Sequence, residues 1–278
     1  PAAAPPHARI TRPSPVLVRL GEAIASTADE ASAIAALEEE PQLIHWHQGD
    51  GWTPLHQASL MLFIDVARWL VAHGAEVNAH EPSYWTPLEL VGVYRKNFTP
   101  AKAAEMKELL TSHGAQMTGG AAIVLGDAEW LRARHAEGTL TNPPGEYGLV
   151  SRAVIRNRPE MVNLLLDLGL DPDERHRLES LEEDVFSWGG PLRECARAGN
   201  LTVAEILLQR GADPNPRIYA ASSPLIEAYQ QKNQDLIALL ERYGSVTDAL
   251  VIGYFGLVER ARELLAATPA AAAQLLVY

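Results

Sequence analysis

The fold of this chain is decided by the stretch Asp50-Gly51-Trp52-Thr53-Pro54-Leu55-His56, which is closed by Gly74-Ala75-Glu76-Val77-Asn78. Its central tetrapeptide nearly recurs further along the chain as Thr86-Pro87-Leu88-Glu89. The closing glycine also returns, at Gly114, Gly169, Gly211 and Gly244. Self-similarity at a period of about 33 residues is typical of an array of stacked structural repeats.

The same residues predict two helices per repeat on physical grounds. Thr53 can cap a helix through its hydroxyl, and Pro54 suits the first helical position because its missing amide would be unpaired there. A second amphipathic run, from Ile64 to Val71, places its apolar residues at helical spacing. Gly74 ends that helix, because the residue after the last turn often needs a positive φ. Neither helix is long enough to be stable alone, so neighbouring repeats must bury its apolar face.

The segment from Asp50 to Asn78 resembles an ankyrin repeat almost position by position, and the chain is identified as a member of the ankyrin-repeat family. This resemblance implies an all-α solenoid of about six to seven helix pairs with degenerate end caps. In this family the hairpin tips and the inner helices line a concave groove, where partners usually bind. The resemblance also implies that His56 makes a structural hydrogen bond between hairpins.

The spacing of the glycines predicts where the array is interrupted. We expect residues 16–278 to form one continuous domain, because a repeat array grows without splitting into globular domains. Residues 1–15 are expected to be a disordered segment. The interval from Gly74 to Gly114 is longer than the repeat period, which predicts an insertion near residues 94–100. The interval from Gly169 to Gly211 is longer still, which predicts a finger at residues 173–190.

Composition narrows the classes of partner. The formal net charge is −12 and the basic residues are scattered, which argues against nucleic acid or an anionic membrane. No stretch approaches the roughly 20 apolar residues that span a bilayer, and residues 1–6 lack the features of a signal peptide, so the cytoplasm is the default location. The one cysteine, Cys195, aligns with Ala58 at a small inner-helix position, where we expect packing and no reactivity. We expect no cofactor and leave the oligomeric state open.

Aromatic residues at the predicted hairpin tips indicate a surface that binds a protein or a peptide. Trp52, Trp85 and Tyr147 occupy aligned positions, and aromatic rings bury a large area with little loss of rotamer freedom. The alternative is that these rings pack on their own hairpins. The negative net charge favours a basic or amphipathic partner. The predicted partner-binding residues are His47, Trp52, Met61, His80, Tyr84, Trp85, Tyr94, Tyr147 and Trp188.

A second hypothesis is an enzyme or small-molecule binder with an acid–base pocket in the N-terminal part of the groove. Its titratable groups would be His47, Asp50, His80, Glu81 and Glu89. Aromatic rings would wall the pocket, and the 173–190 finger would close it. No nucleophile motif accompanies these groups, so we expect a non-catalytic protein. Glu89 stands where His56 stands one repeat earlier, and it could bond backbone amides or point into the groove.

The remaining histidines and tryptophans have simpler interpretations. His45 and His47 share one face of an extended run and His80 is equivalent to His47, which makes these three imidazoles candidate zinc ligands. No metal-binding motif supports them, and we expect no bound metal. Trp69 and Trp130 lie at core spacing in second helices, where we expect them to pack.

Overall fold

The fold is that of a computed structural model, which describes residues 15–23, 29–46, 51–80, 85–93, 98–143, 147–176, 189–216 and 223–267. Within these ranges every regular element is helical: fifteen α-helices and two 3₁₀ helices, with no strand. No helix among the described residues is long and apolar enough to cross a membrane. The predicted all-α fold is confirmed. The segment predicted to be disordered, residues 1–15, lies outside these ranges except for Pro15.

The chain divides into two units, and the first comprises residues 1–125. Its 3₁₀ helices are Pro41–His45 and Pro87–Leu90, and its α-helices are α1 (Pro15–Glu22), α2 (Glu30–Glu39), α3 (Pro54–Met61), α4 (Ile64–Ala72), α5 (Pro100–Ser112) and α6 (Gly119–Leu125). An inner row runs from the first 3₁₀ helix through α3 and the second 3₁₀ helix to α6. An outer row of α2, α4 and α5 packs beside it, and the apolar core lies between the rows.

The second unit, residues 126–278, repeats this arrangement. Its helices are α7 (Ala128–Ala136), α8 (Leu149–Ile155), α9 (Pro159–Asp167), α10 (Pro191–Ala198), α11 (Leu201–Gln209), α12 (Pro224–Gln230), α13 (Gln234–Arg242), α14 (Ala249–Phe255) and α15 (Val258–Ala267). Helices α8, α10 and α12 form an inner row, and α9, α11 and α13 form an outer row, to which α15 is joined by the pair Arg260–Glu241. The single continuous domain stays a prediction.

Helix α3 begins as the sequence predicts. The Thr53 hydroxyl accepts a hydrogen bond from the His56 amide at 3.4 Å, and Pro54 occupies the first helical position. The Thr53 amide in turn donates to Nδ1 of His56 at 3.2 Å. Two amides that the helix itself leaves unpaired are thereby satisfied. Thr86 and Ser223 use their side-chain oxygens in the same way before later inner helices.

Positive backbone φ angles end the helices of both rows. The glycines predicted to close the second helices have φ between 85° at Gly169 and 97° at Gly244. Helix α3 ends at Leu62 with a φ of 56°, a conformation that is unfavourable by about 1–2 kcal/mol for a residue with a Cβ. The Leu62 side chain is fully buried in the core, which offsets this strain.

The second repeat departs from the expected helix pair. Its first helix is only the 3₁₀ helix Pro87–Leu90, because Gly92 turns the chain with a φ of 69°. The Phe98 ring lies so close to Gly92 that an added Cβ would be 2.7 Å from it. Of the predicted insertion at 94–100, residues 94–97 lie outside the described ranges. Thr99 caps α5 and Pro100 begins it, so the insertion gives way directly to the second helix.

Successive repeats are joined by the side chain of the residue four positions after the closing glycine, which makes two hydrogen bonds to the turn of the next repeat. Asn78 donates from Nδ2 to the carbonyl oxygen of Gly114 at 2.9 Å, and its Oδ1 accepts from the Gln116 amide at 2.8 Å. One side chain thus holds the turn of the next repeat through both of its polar atoms. Asn215 makes the equivalent pair with Gly244 and Val246, whereas Asp173 only accepts, from the Asp213 amide.

Candidate partner-binding surface

Trp52 lies at the tip of the hairpin that leads into α3. Its indole is half-buried, and its ring centroid is 5.9 Å from that of His56. The next residue, Thr53, is buried and caps the helix. The ring is therefore presented to solvent from a support that is held by buried hydrogen bonds.

His56 joins this hairpin to the next one. Its Nε2 is 3.1 Å from the carbonyl oxygen of Trp85, which can only accept, so Nε2 carries the proton and donates. Its Nδ1 accepts from the Thr53 amide. Both ring nitrogens are occupied and the side chain is fully buried. The structural role that the resemblance implied for His56 is confirmed.

Two residues of the predicted partner-binding set are buried. The Trp85 side chain is only 8% exposed, so the prediction of an exposed anchor is wrong there. Its backbone is fixed by His56, and burial removes a large apolar ring from water. Met61 belongs to the core cluster at 9% exposure, because the left-handed Leu62 turns the chain directly after it.

The other predicted residues of the first unit are divided between the surface and the undescribed part of the chain. His80 is exposed, as is His45. His47, Asp50, Glu81, Tyr84 and Tyr94 lie outside the described residues, and so does Trp188 in the second unit. Trp69 is half-buried against the core of the first unit, and Trp130 is half-buried beside Arg134, as expected for packed residues.

The position of Glu89 answers a question that the sequence left open, namely whether its carboxylate points into the groove. Its carboxylate is 1% exposed and accepts a hydrogen bond from the Thr118 hydroxyl at 2.6 Å. It also covers Gly120 at the start of α6, where an added Cβ would overlap it. A negative group is favourable at a helix N-terminus. Glu89 therefore joins the second repeat to the third, and it does not point into a groove.

The acid–base hypothesis gains no support from these positions. Glu89 is used in a structural join, His80 is exposed, and the three other proposed groups are not described. Among the described residues no group of three or more His, Cys, Asp or Glu side chains could hold a metal ion. The candidate zinc ligand His47 lies outside those residues.

In the second unit, Tyr147 packs against a buried polar cluster that sequence analysis did not find. Its ring meets the ring of His176 edge-on, with centroids 4.7 Å apart. Nε2 of His176 is 3.0 Å from the Ser151 hydroxyl, and Glu174 accepts a hydrogen bond from the Ser151 amide. The exposed fractions are 0% for Ser151, 7% for Glu174 and 2% for His176.

Electrostatics and burial make this cluster a structural one. Burial, aided by the positive charges of Arg193 and Arg197, lowers the pKa of His176 to about 4, so the imidazole is neutral at pH 7. The His176 amide donates to the Gly189 carbonyl at 3.3 Å, which joins the two ends of the 177–188 segment. Ser151 stands at the aligned position of His56, and that alignment is the signal that could have revealed the cluster.

Cys195 is fully enclosed in α10. Its exposed fraction is 0%, and burial followed by the charge of Glu194 raises the pKa of the thiol far above its usual range. Because the thiolate is the reactive form, this cysteine is inert in the folded protein. The expected packing role is confirmed.

One helix pair in each unit matches a known repeat. A model of the ankyrin-repeat family matches residues 50–81, which contain α3 and α4, and residues 191–218, which contain α10 and α11. The chain contains ankyrin repeats. The first match covers the stretch that predicted the fold. In the second of these repeats, the residue aligned with Trp52 is Gly189, so the two repeats differ at this position.

Curated relatives match parts of this ankyrin-repeat chain. It is 39% identical over 107 residues to the serine/threonine-protein kinase VIK of Arabidopsis thaliana, covering 38% of this chain and 22% of the kinase. It is 32% identical over 100 residues to cyclin-dependent kinase inhibitor 2A of Monodelphis domestica, covering 36% and 53%. It is 27% identical over 181 residues to ankyrin repeat protein nuc-2 of Neurospora crassa, covering 65% and 14%. The matches thus span at most 53% of these relatives.

Similar solved structures include two ankyrin repeat domains. The domain of human ASB11 is 21% identical, with a TM-score of 0.41, and the match covers 84% of this chain and 85% of that one. The domain of Bcl-3 is 22% identical, with a TM-score of 0.37, and the match covers 82% and 87%.

Proposed function

We propose that this ankyrin-repeat protein binds a protein or peptide through the inner-row side of its first unit, with Trp52 as the apolar anchor. The observation that carries the proposal is the partly exposed indole of Trp52, which directly precedes the buried Thr53 and packs near the buried His56. An aromatic ring on a rigid support loses little conformational freedom when a partner covers it.

The residues near this tip provide a surface of mixed character. Gln57 and Leu60 are half-exposed one turn apart on α3, and Val93 is half-exposed after the second 3₁₀ helix. His80 is exposed at the next hairpin. An aromatic residue among partly exposed apolar and polar groups is typical of an interface hot spot. His47, Tyr84 and Tyr94 belong to the same proposal by sequence position alone, and Tyr147 and Trp188 are proposed contacts on the second unit.

The charge of the protein supports one chemistry of partner. The formal net charge is −12, so a basic or amphipathic segment would be attracted and an acidic one repelled. Such attraction acts mainly on the association rate. We therefore propose that Trp52 provides most of the affinity, and that the acidic residues of the protein speed the approach of the partner.

Charged side chains pair between repeats in both rows, so ion pairing does not distinguish the two sides; in the inner row of the second unit Arg193 of α10 pairs with Glu227 of α12 at 3.0 Å. In the first unit Arg68 of α4 pairs with Glu105 of α5 at 2.9 Å. The equivalent outer-row pairs in the second unit are Arg210 with Asp167, Arg242 with Glu205, and Arg260 with Glu241.

The proposal is tested by placing a photo-crosslinking amino acid at Gln57 and identifying the cross-linked protein. We expect Trp52→Ala to abolish this cross-link and to weaken binding of the purified partner by about tenfold or more, as loss of an interface anchor does. The matched control is Trp130→Ala, which removes an equally half-buried tryptophan from an outer helix.

Two results would contradict the proposal. One is unchanged binding by the Trp52→Ala variant, shown by circular dichroism to be folded. The other is an equal loss of binding in both variants, since that would indicate a general effect of removing an indole and no role for the inner-row side.

A further inference from the structure

The inner row of the second unit carries an excess of positive charge in a protein that is acidic as a whole. Helices α8, α10 and α12 contain three arginines and two glutamates, whereas α9, α11 and α13 in the outer row contain five acidic residues and one arginine. The formal net charge of the chain is −12. The inner row of this unit therefore differs in sign from the rest of the protein. Its five charged residues are Arg152, Arg193, Glu194, Arg197 and Glu227.

Burial separates these charges by sign. The side chains of Glu194 and Glu227 are only 4% and 10% exposed, whereas that of Arg197 is 56% exposed. Arg152 is fully buried, and its Nε donates to the carbonyl oxygen of Tyr147 at 3.1 Å. The charge that these inner helices present to solvent is therefore mainly that of the Arg197 guanidinium.

Glu194 neutralises Arg197 only in part, because two arginines share its carboxylate. Its Oε2 accepts from Nε and Nη2 of Arg197, and its Oε1 is 3.7 Å from Nη1 of Arg193. Arg193 also pairs with Glu227 at 3.0 Å. A guanidinium has five N–H donors, and Glu194 accepts from two of those of Arg197. The buried carboxylate thus fixes one edge of a guanidinium that is more than half exposed.

Tyr147 adds a hydroxyl close to this guanidinium. The hydrogen bonds to Glu194 raise the pKa of Arg197, and Tyr147 contributes to the same shift, which indicates that the phenol lies nearby. The Tyr147 ring is half-buried and meets the His176 ring edge-on. Burial, and after it the charges of Arg193 and Arg197, lower the pKa of His176, so the arginines dominate the charges that act beside Tyr147.

We propose that the Arg197 guanidinium and the Tyr147 hydroxyl bind a carboxylate of an acidic peptide segment on the inner-row side of the second unit. A guanidinium matches a carboxylate with two parallel hydrogen bonds, and a phenol can donate one more. The single negative charge of a carboxylate equals the charge excess of the inner row, whereas a phosphate would bring up to two negative charges beside Glu194.

The overall acidity of the protein does not prevent this contact. At physiological ionic strength, interactions between exposed charges are largely screened beyond about 8 Å, so the local arginines decide which group binds. The site lies in the second unit and does not depend on Trp52. It takes a group of the opposite charge from the partner proposed for Trp52, and it gives a chemistry to the contact proposed for Tyr147.

The test selects peptides from a displayed library of random dodecapeptides, with the full chain as bait. Only peptides that bind the wild type and Trp52→Ala equally are kept, which removes those that depend on the first unit. We expect the kept peptides to contain an aspartate or a glutamate. Arg197→Gln should weaken their binding by about tenfold or more, because it removes a charge-assisted contact. Tyr147→Phe, which keeps the ring, should weaken it by about threefold.

The matched control is Arg242→Gln on the outer helix α13. Arg242 is 62% exposed and pairs with Glu205, as Arg197 pairs with Glu194, so its loss removes the same charge from another surface. We expect this variant to bind the kept peptides as the wild type does.

A change in the peptide separates direct contact from a structural effect of the substitution. Replacing its acidic residue with the corresponding amide should weaken binding to the wild type by about tenfold and have little effect on binding to Arg197→Gln, because the two changes remove the same interaction. Tyr147→Phe and the amide peptide keep the test decisive if Arg197→Gln unfolds the protein.

Four results would overturn the proposal. They are a library that yields no acidic peptide, an amide peptide that binds the wild type as well as its acidic parent, unchanged binding by folded Arg197→Gln, and an equal loss in Arg242→Gln. Binding that tightens by about tenfold or more when phosphoserine replaces the acidic residue would assign the site to a phosphate, and it would also reject a carboxylate. None of these results bears on the Trp52 surface, which has its own cross-linking test.

Discussion

At the residue scale, His176 is enclosed by Tyr147, Ser151 and Gly189 and faces the charges of Arg193 and Arg197. Its pKa is about 4 in the folded protein and 6.5 in an unfolded chain. Between these values the unfolded chain binds a proton that the folded protein does not, so stability is lost as the pH falls from 6.5 towards 4. Over this pH range, we expect the free energy of unfolding, measured by urea titration, to fall by up to about 3 kcal/mol more for the wild type than for His176→Gln.

The comparison with His176→Gln separates this effect from that of Glu174. Burial raises the pKa of Glu174, so its protonation favours the folded state as the pH falls and acts in the opposite direction. Both proteins keep Glu174, and its contribution cancels in the difference. Parallel pH dependences of the two proteins would mean that His176 is protonated equally in the folded and unfolded states. His113→Gln, which removes an exposed histidine, is the matched control.

Sequence position alone could not distinguish the two tip tryptophans. Trp52 and Trp85 occupy the same place in the repeat pattern, and one is partly exposed while the other is buried. The exposure of a hairpin tip depends on the neighbouring hairpin, and repeat periodicity carries no information about that neighbour. The role of His56 was predictable only through the resemblance to ankyrin repeats, because its hydrogen bond to Trp85 joins residues that are far apart in the sequence.

At the element scale, the start of α6 is held by the join between Glu89 and Thr118. Replacing a helix glycine with alanine normally stabilises a protein by about 0.5–1 kcal/mol. At Gly120 the added methyl would overlap the buried Glu89 carboxylate and break its hydrogen bond to Thr118. We expect Gly120→Ala to lower the free energy of unfolding by about 1–3 kcal/mol, measured by chemical denaturation.

Gly253→Ala is the matched control for this prediction. Gly253 lies within α14, and an added Cβ would meet nothing within 4 Å. We expect this variant to be stabilised by about 0.5–1 kcal/mol. If the two variants change stability in the same direction, the crowding at Gly120 has no energetic effect.

The helices themselves were predictable where the sequence contains caps and closing glycines. The Thr53-Pro54 start of α3 and the positive φ of Gly74 follow directly from side-chain chemistry. The 3₁₀ helix Pro87–Leu90 was not predictable, because its early end depends on Phe98 packing over Gly92 from a later part of the chain. Local propensity does not contain contacts of that kind.

At the scale of the whole molecule, the prediction of one continuous domain can be tested with the same variant. In a repeat array, stability is shared between neighbours, so a local defect is felt beyond its own repeat. We expect Gly120→Ala, in the first unit, also to increase amide hydrogen exchange in α10 and α12 of the second unit. Exchange that changes only in the first unit would mean that the two units unfold as separate domains.

The asparagine joins between repeats differ in chemical durability. Asparagine loses its amide nitrogen as ammonia when the backbone nitrogen of the following residue attacks the side-chain carbonyl. Pro216 follows Asn215 and has no backbone N–H, so that route is closed there. Ala79 leaves it open at Asn78. An aspartate at position 78 could accept from Gln116 but could not donate to Gly114, so ageing of the protein would loosen the join at Asn78 and spare its counterpart at Asn215.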